Sequence, residues 1–282
     1  MIDYAYYNGV FSPYDSATIP LSDRAIFFGD AVYDVVLGID GSAYQLDVHL
    51  DRLYENARRI GLTSTPERSA VEEAIDTLLY EAMADNFLLY VQFSSSERRR
   101  THIRSENSAN LLITVTECIV PYEVEFIKAI TLPDNRHNFC DIKTICLLPS
   151  VLSIEEANRR LADIAIFHKN GSVTECSHAN VCILKNGEII AHPFDSSILP
   201  GITQCNLLKA CQKAGIPYSL REFSVSELFD ADAVMVTSTT KLIKICTEID
   251  GVPLNTSGAR VVRVLFDLLR KDIFDKSGRK VN

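Results

Sequence analysis

The chain has 282 residues, 47% hydrophobic and 23% charged, with a formal net charge of −9, which fits a globular protein with one large domain or two medium ones. The acidic balance, with no basic run longer than Arg98-Arg99-Arg100, argues against nucleic acid or an anionic membrane as the main partner. No stretch approaches the roughly 18 to 20 apolar residues of a membrane span, the start lacks the pattern of a signal peptide, and eight cysteines without a CxxC pair argue against zinc and for a cytoplasmic chain with reduced thiols.

In chain order, YAYY and VFS flank Asn8-Gly9, a dipeptide suited to a two-residue hairpin. VYDVVLGIDGSAYQL repeats the pattern about Asp40-Gly41. VHLDRLYENARRIGL sets Leu50, Leu53, Tyr54, Ala57 and Ile60 on one helical face and closes on Gly61. A second helix is expected in SAVEEAIDTLLYEAM, with Val71, Ala74, Ile75, Leu78 and Leu79 on one side, and strands in FLLYVQFSSS and NLLITVTEC. IVPYEVE, with Pro121 at its centre, is the best linker. Beyond it, strands are expected in FIKAITL and DIKTI, and a helix starting at Pro149. Hairpins follow about Asn170-Gly171 and Asn186-Gly187, then a short helix in TQCNLLKACQKAG. AVMVTSTT and KLIKICTEIDGVPL read as strands, and SGARVVRVLFDLLRKDIF as a final amphipathic helix. Strands grouped with helices, without regular βαβ alternation, predict an α+β chain in two domains. The expected division is 1–118, a linker at 119–125, and 126–282.

Six stretches carry candidate chemistry. FCDIKTICLLPSV holds a single cation, Lys143, in a segment that reads as buried. A buried ammonium is costly unless it is paired or has lost its charge. On a strand, Asp141, Lys143 and Ile145 share one face. The lysine is then either an edge residue reaching water or an amine kept ready to release its proton, as a Schiff-base lysine must be. Glu175, in GSVTECSHAN, is either a solvated loop carboxylate or an anion aimed at a cationic ring nitrogen. LPGITQCNLLKAC places Gly201, Ile202 and Thr203 at a helix start, where free N–H groups and the dipole suit a phosphate. Arg52, in HLDRL, faces solvent or clamps a phosphate; Ser238 and Thr239, in VTSTT, cap a turn or bond one. Arg100 and His102, in RTH, form an exposed basic loop or a carboxylate trap.

Together and in this order, SDRAIFFGDAVYDVV, HLDRL, CDIKTICLL, NGSVTECSHAN, ILPGIT and VTSTT resemble the fold-type IV pyridoxal-phosphate enzymes. That family includes D-amino acid aminotransferases, branched-chain aminotransferases and aminodeoxychorismate lyases, and the resemblance covers nearly the whole chain. It implies a two-domain α+β fold: a small α/β N-terminal domain and a larger, cofactor-binding C-terminal domain whose strands form a pseudo-barrel. It implies pyridoxal 5'-phosphate held by Lys143, which would move the substrate proton as a neutral amine. Glu175 would face the pyridine nitrogen. Arg52, the N–H groups of Ile202 and Thr203, and Ser238 and Thr239 would surround the phosphate. Tyr33 and Arg100-Thr101-His102 match the aromatic residue and the Arg-x-His pattern that grip the substrate carboxylate in the D-amino acid group, where the loop comes from the partner subunit. The implied protein is a homodimer that transaminates D-amino acids, such as D-alanine or D-glutamate, with 2-oxo acids. One run departs from that group: Cys176-Ser177-His178-Ala179 stands where Gly and Ser are usual. A cysteine after the glutamate occurs among the lyases, so an aminodeoxychorismate lyase is the alternative, and a branched-chain aminotransferase the second.

Overall fold

The computed structural model describes residues 3–96, 100–104 and 109–276; of the short basic run, Arg98 and Arg99 lie outside them. The described residues of Met1–Val120, Ile142–Cys146 and Ile273–Asn282 form one compact unit, and Pro121–Asp141 with Leu147–Asp272 form a second. Ile142–Cys146, with Lys143, thus groups with the first unit, whereas Asp141 and Leu147 on either side of that segment group with the second.

The first unit is built on a six-stranded antiparallel sheet of β1 (Tyr4–Tyr7), β2 (Val10–Pro13), β3 (Ala31–Ile39), β4 (Ser42–Ala43), β5 (Phe87–Ser94) and β6 (Asn110–Glu117), in the order β2-β1-β6-β5-β3-β4. Asn8 and Gly9 take φ of 47° and 93°, the left-handed pair that lets β1 turn directly into β2. Alternate residues of β5 and β6, Leu89, Val91, Leu111, Ile113 and Val115, are buried with Val32 and Val36 of β3. They form one core with Leu50, Leu53 and Ala57 of α2 (Leu46–Arg59) and Val71, Ile75 and Leu78 of α3 (Arg68–Ala82). Each buried Val, Leu or Ile among them contributes about 1.5–3 kcal/mol by leaving water. A five-residue helix, α1 (Arg24–Phe28), precedes β3; no apolar periodicity announces an element so short.

The strand expected in DIKTI does not form. Residues 139–147 are irregular, with one bridge from Thr144 to Val32. Tyr33 N donates to Lys143 O at 3.0 Å, and Ile145 N to Ala31 O at 3.3 Å, so only residues 143–145 lie along the edge of β3. Ile142 joins the core of the first unit, while Leu147 and Leu148 are exposed. The apolar letters that suggested a buried strand therefore face different surroundings, and Lys143 is half-buried rather than enclosed.

The second unit carries a nine-stranded mixed sheet. Its strands are β7 (Glu125–Pro133), β8 (Ile164–Lys169), β9 (Ser172–Cys176), β10 (Asn180–Lys185), β11 (Glu188–Ala191), β12 (Tyr218–Leu220), β13 (Ala233–Ser238), β14 (Leu242–Ile249) and β15 (Val252–Pro253). They run β12-β11-β10-β13-β14-β7-β8-β9, with β15 on β14. β9 ends that path, yet Cys176 N bonds Ala179 O at 2.7 Å and the chain turns at once into β10. The sheet therefore curls back on itself as a half-barrel. Its core holds Ile127, Ile164, Ile166, Val173, Val181, Ile183, Val234 and Val236. α4 (Leu148–Arg159) packs Ala157 against Ile130 and Ala165. α5 (Ile202–Ala214) starts at Gly201 and ends at Gly215 in the left-handed region. α6 (Val225–Phe229) is opened by a capping box of Ser224 and Glu227, a signal present in the sequence as S-x-x-E. α7 (Ala259–Lys276) buries Val262, Leu265, Phe266 and Leu269. No helix among the described residues is long and apolar enough to cross a membrane. All eight cysteines are free, and burial pushes the Cys246 thiol up to about 12.

Candidate active site

In the first unit the expected residues fall into three groups. Tyr33 stacks on Tyr90 with ring centroids 5.2 Å apart, and Lys143 Nζ sits 4.6 Å from the Tyr33 centroid. The backbone bond between Tyr33 and Lys143 fixes both to the edge of β3, so the pair is a product of strand register and not of loop chance.

Arg52 belongs to the second group. Asp34 interrupts the apolar row of β3 between Val32 and Val36, and its carboxylate is 1% exposed. It accepts from Arg52 Nε and Nη2, each at 2.8 Å, lies 2.7 Å from His49 Nδ1, and accepts Val35 N at 2.8 Å. Burial alone would raise this carboxyl; the Arg52 guanidinium and His49 outweigh it and hold it well below the usual carboxylate range. His49 and Arg52 lie three apart on α2, one above the other on the face toward β3.

The third group is the loop 100–104. Arg100 lies 5.1 Å from the Phe28 ring centroid and the His102 ring 5.2 Å from it, so both expected trap residues meet one aromatic side chain.

The second unit holds the expected anion and phosphate cradle. Glu175, on β9, is 6% exposed and accepts from Arg136 Nη1, from Leu199 N at 2.9 Å and from Asn180 Nδ2 at 3.2 Å. Arg136 also forms a fork with Asp134 at 2.9 and 2.7 Å and rests 4.8 Å from the Phe167 centroid. Burial alone would raise Asp134, but the bonds from Arg136 prevail and lower it. Asn180 Nδ2 donates to Leu199 O at 2.8 Å, so the glutamate and the chain leading into α5 are bonded together. In the departure at 176–179, Cys176 and Ser177 are buried, and His178 is exposed on the turn between β9 and β10.

Whether such residues fit pyridoxal phosphate can be asked of α5. Its first-turn N–H groups have no intrahelical acceptor, and the cap residue Gly201 offers no side chain to them. A Cβ at Gly201 would come within 1.9 Å of Asn180 Oδ1, so only glycine brings the backbone this close. Both amide atoms of Gln204, in the same turn, are buried without a hydrogen-bond partner among the described residues. Ile202 and Thr203 are 8% exposed, and Ser238 and Thr239 close β13 in partly exposed positions. Within the second unit, a helix start with buried polar atoms lacking a partner among the described residues and a buried carboxylate fit a group with a phosphate at one end and a basic ring nitrogen at the other.

Asp34, His49, Asp134, Arg136 and Asn180 were not singled out by sequence. Only Asp34 left a local trace, as a carboxylate in an otherwise apolar strand row. Arg136 and Glu175 are 39 residues apart, and nothing local in either stretch announces the other.

Residues 31–249 match the model of the amino-transferase class IV family. D-alanine aminotransferase of Listeria monocytogenes serotype 1/2a (strain 10403S) is 34% identical over 244 residues, 84% of each chain. D-alanine aminotransferase of Bacillus licheniformis is 32% identical over 259 residues, 90% of each chain. Among solved structures, a branched-chain aminotransferase from Thermoproteus uzoniensis with norvaline superposes with a TM-score of 0.86 at 21% identity, covering 98% of this chain and 96% of that one; such a likeness shows the fold. Fold, family model and relatives agree, and the chain belongs to the class IV aminotransferases, a pyridoxal-phosphate-dependent family.

Proposed function

We propose that the protein moves the amino group of D-amino acids, such as D-alanine or D-glutamate, to 2-oxo acids. The observation that carries this reading is the pair of D-alanine aminotransferases at 32–34% identity over 84–90% of their length. When bound, pyridoxal phosphate supplies an electron sink through its protonated ring.

The roles of the chain's own residues follow from their chemistry. Lys143 Nζ holds the cofactor and, once free, holds or moves the proton at the substrate Cα. Its backbone is fastened to β3, so only the side chain has to swing. Glu175 would keep a proton on the ring nitrogen; Arg136 beside it pairs with one carboxylate oxygen and fixes its direction. Arg52, the N–H groups of Ile202 and Thr203, and the hydroxyls of Ser238 and Thr239 take the phosphate. The fork to Asp34 spends two Arg52 nitrogens on orientation. Tyr33, Arg100 and His102 take the substrate carboxylate, for which a guanidinium fixes direction as well as charge.

We assign the cofactor-binding domain to 126–282, the small domain to 1–118 and the linker to 119–125. A cytoplasmic homodimer completes the reading. The first turns of α4 support the dimer, since Leu148, Val151 and Leu152 are all exposed there, an apolar group that a partner subunit would cover. The test is a donor screen of D- and L-amino acids with 2-oxoglutarate or pyruvate, run beside an assay for pyruvate release from aminodeoxychorismate. Turnover of D-alanine or D-glutamate is expected. Activity on aminodeoxychorismate alone would replace this reading with the lyase.

A further inference from the structure

We infer that Asp30 is a positioning residue for the substrate-carboxylate trap: through Arg24 and Arg104 it sets the loop 100–104 in place before a substrate arrives. The inference rests on the reading of Arg100 and His102 as that trap.

Asp30 is 8% exposed and carries two guanidinium groups. Arg24 Nε donates to its Oδ2 at 2.7 Å, Arg104 Nε donates to the same oxygen at 2.8 Å, and Arg104 Nη2 donates to Oδ1. Burial alone would raise the Asp30 carboxyl; the bonds from Arg104 and Arg24 lower it instead, so the clamp is ionic at neutral pH. Each arginine then reaches onward. Arg24 Nη1 donates to Thr101 O and Nη2 lies 3.5 Å from His102 O. Arg104 Nη1 donates to Ile60 O, at the end of α2. The loop is therefore held at Thr101 and His102 from one side and at Arg104 from the other.

The foundation of this clamp is rigid. Asp23 caps α1 by accepting Ala25 N at 2.9 Å, and its other oxygen accepts Tyr7 Oη at 3.0 Å, Ser94 Oγ at 2.7 Å and Asn110 Nδ2 at 3.0 Å. That ties α1 to β1, β5 and β6. Phe28 ends the same helix and lies 4.5 Å from the Arg24 guanidinium, besides its contacts with Arg100 and His102. Asp30 O accepts Ser95 N at 3.1 Å, and Asp30 stands three residues before Tyr33. The stretch SDRAIFFGDAVY thus encodes the whole support: a cap, a clamp arm, a ring, a carboxylate hub and the tyrosine.

A loop arginine free to roam would lose backbone and rotamer freedom on gripping each substrate. Fastening the loop beforehand removes that cost from binding and leaves chemistry alone, so loosening the clamp is expected to act on KM and not on kcat.

The test uses the holoenzyme with D-alanine and 2-oxoglutarate. Arg104→Met leaves the buried Arg24–Asp30 pair in place, and Arg104 is only partly buried, so folding should survive. It is expected to raise KM for D-alanine roughly tenfold, the scale of one charge-assisted hydrogen bond, with kcat within about twofold. The cofactor absorption band should not move, and Arg104→Lys should recover part of the loss. Asp30→Asn should show the same split more strongly if it folds. Wild-type KM in Arg104→Met, beside a raised KM in Arg100→Ala, would overturn the clamp and leave the trap standing. Wild-type KM in Arg100→Ala would remove the trap, and the clamp with it.

Discussion

The two units hold their buried charges with opposite polarity. In the first, carboxylates are the hubs and arginines radiate from them: Asp30 carries Arg24 and Arg104, and Asp34 carries Arg52 and meets His49. In the second, the hub is a cation: Arg136 carries Asp134 and Glu175. A hub fixes the direction of its satellites. In the proposed reading, the Asp34 hub orients Arg52 toward a phosphate, and the Arg136 hub orients Glu175 toward a protonated ring nitrogen. In each case a partner of opposite charge lowers the cost of the buried charge without removing its sign.

Lys143 should break turnover most completely. Lys143→Ala is expected to lower kcat by at least about a thousandfold, the upper range for removal of a positioned acid–base group. Borohydride reduction of the wild type followed by peptide mapping should label Lys143, and a label on any other lysine would exclude its assigned role. Next comes the presented anion. Glu175→Gln should cost about 3 kcal/mol in kcat, the scale of removing one electrostatic partner from a dry site. The amide oxygen can still accept from Asn180 and Leu199, so the variant should fold; unchanged kcat would show that Glu175 does not hold the ring proton.

Removing the hubs themselves tests the comparison through stability. Asp34→Asn and Arg136→Met each leave buried groups unpaired, and each should destabilise by about 3 kcal/mol in urea unfolding. The acid limb distinguishes the two. Asp34 has a folded carboxyl value held below its unfolded one, so its contribution is complete above the ordinary value and is lost as the pH falls toward the depressed one. Wild-type stability should then decline below about pH 4, and Asp34→Asn should flatten that decline. An acid limb identical in the two proteins would mean that Asp34 is not the ionised hub. The smallest effect belongs to Arg68, which pairs with Asp47, Asp51 and Glu72 on the surface of the first unit. Despite three partners, Arg68→Ala should cost less than about 1 kcal/mol, because water screens exposed pairs. A larger loss would show that surface hubs matter as much as buried ones.

Much of this was legible in the sequence, and the reason is local. Asn-Gly and Asp-Gly pairs specify hairpins wherever they stand between apolar runs, and the faces of α2 and α3 follow from spacing alone. DIKTI misled because apolar letters do not say which surface they meet: Ile142 enters a core, while Ile145 stays only partly buried. The short helix α1 and the strand β12 are too brief for periodicity. Lys143, Glu175 and the start of α5 stood out through ordered motifs. Their supports did not, since Asp30 with Arg104, and Arg136 with Glu175, are joined only by folding, across 74 and 39 residues.

The bond from Tyr33 N to Lys143 O has a consequence for anyone who would re-engineer this protein. It makes the amine a passenger of the first sheet. Substitutions at the exposed Phe139 can be accepted without moving the lysine, because nothing there sets its height along β3. A slip of one residue between Ala31 and Tyr33 is another matter. It would turn tyrosine and lysine together to new neighbours, so libraries aimed at new substrates should keep that register fixed and vary Tyr90 and Gln92 across from it.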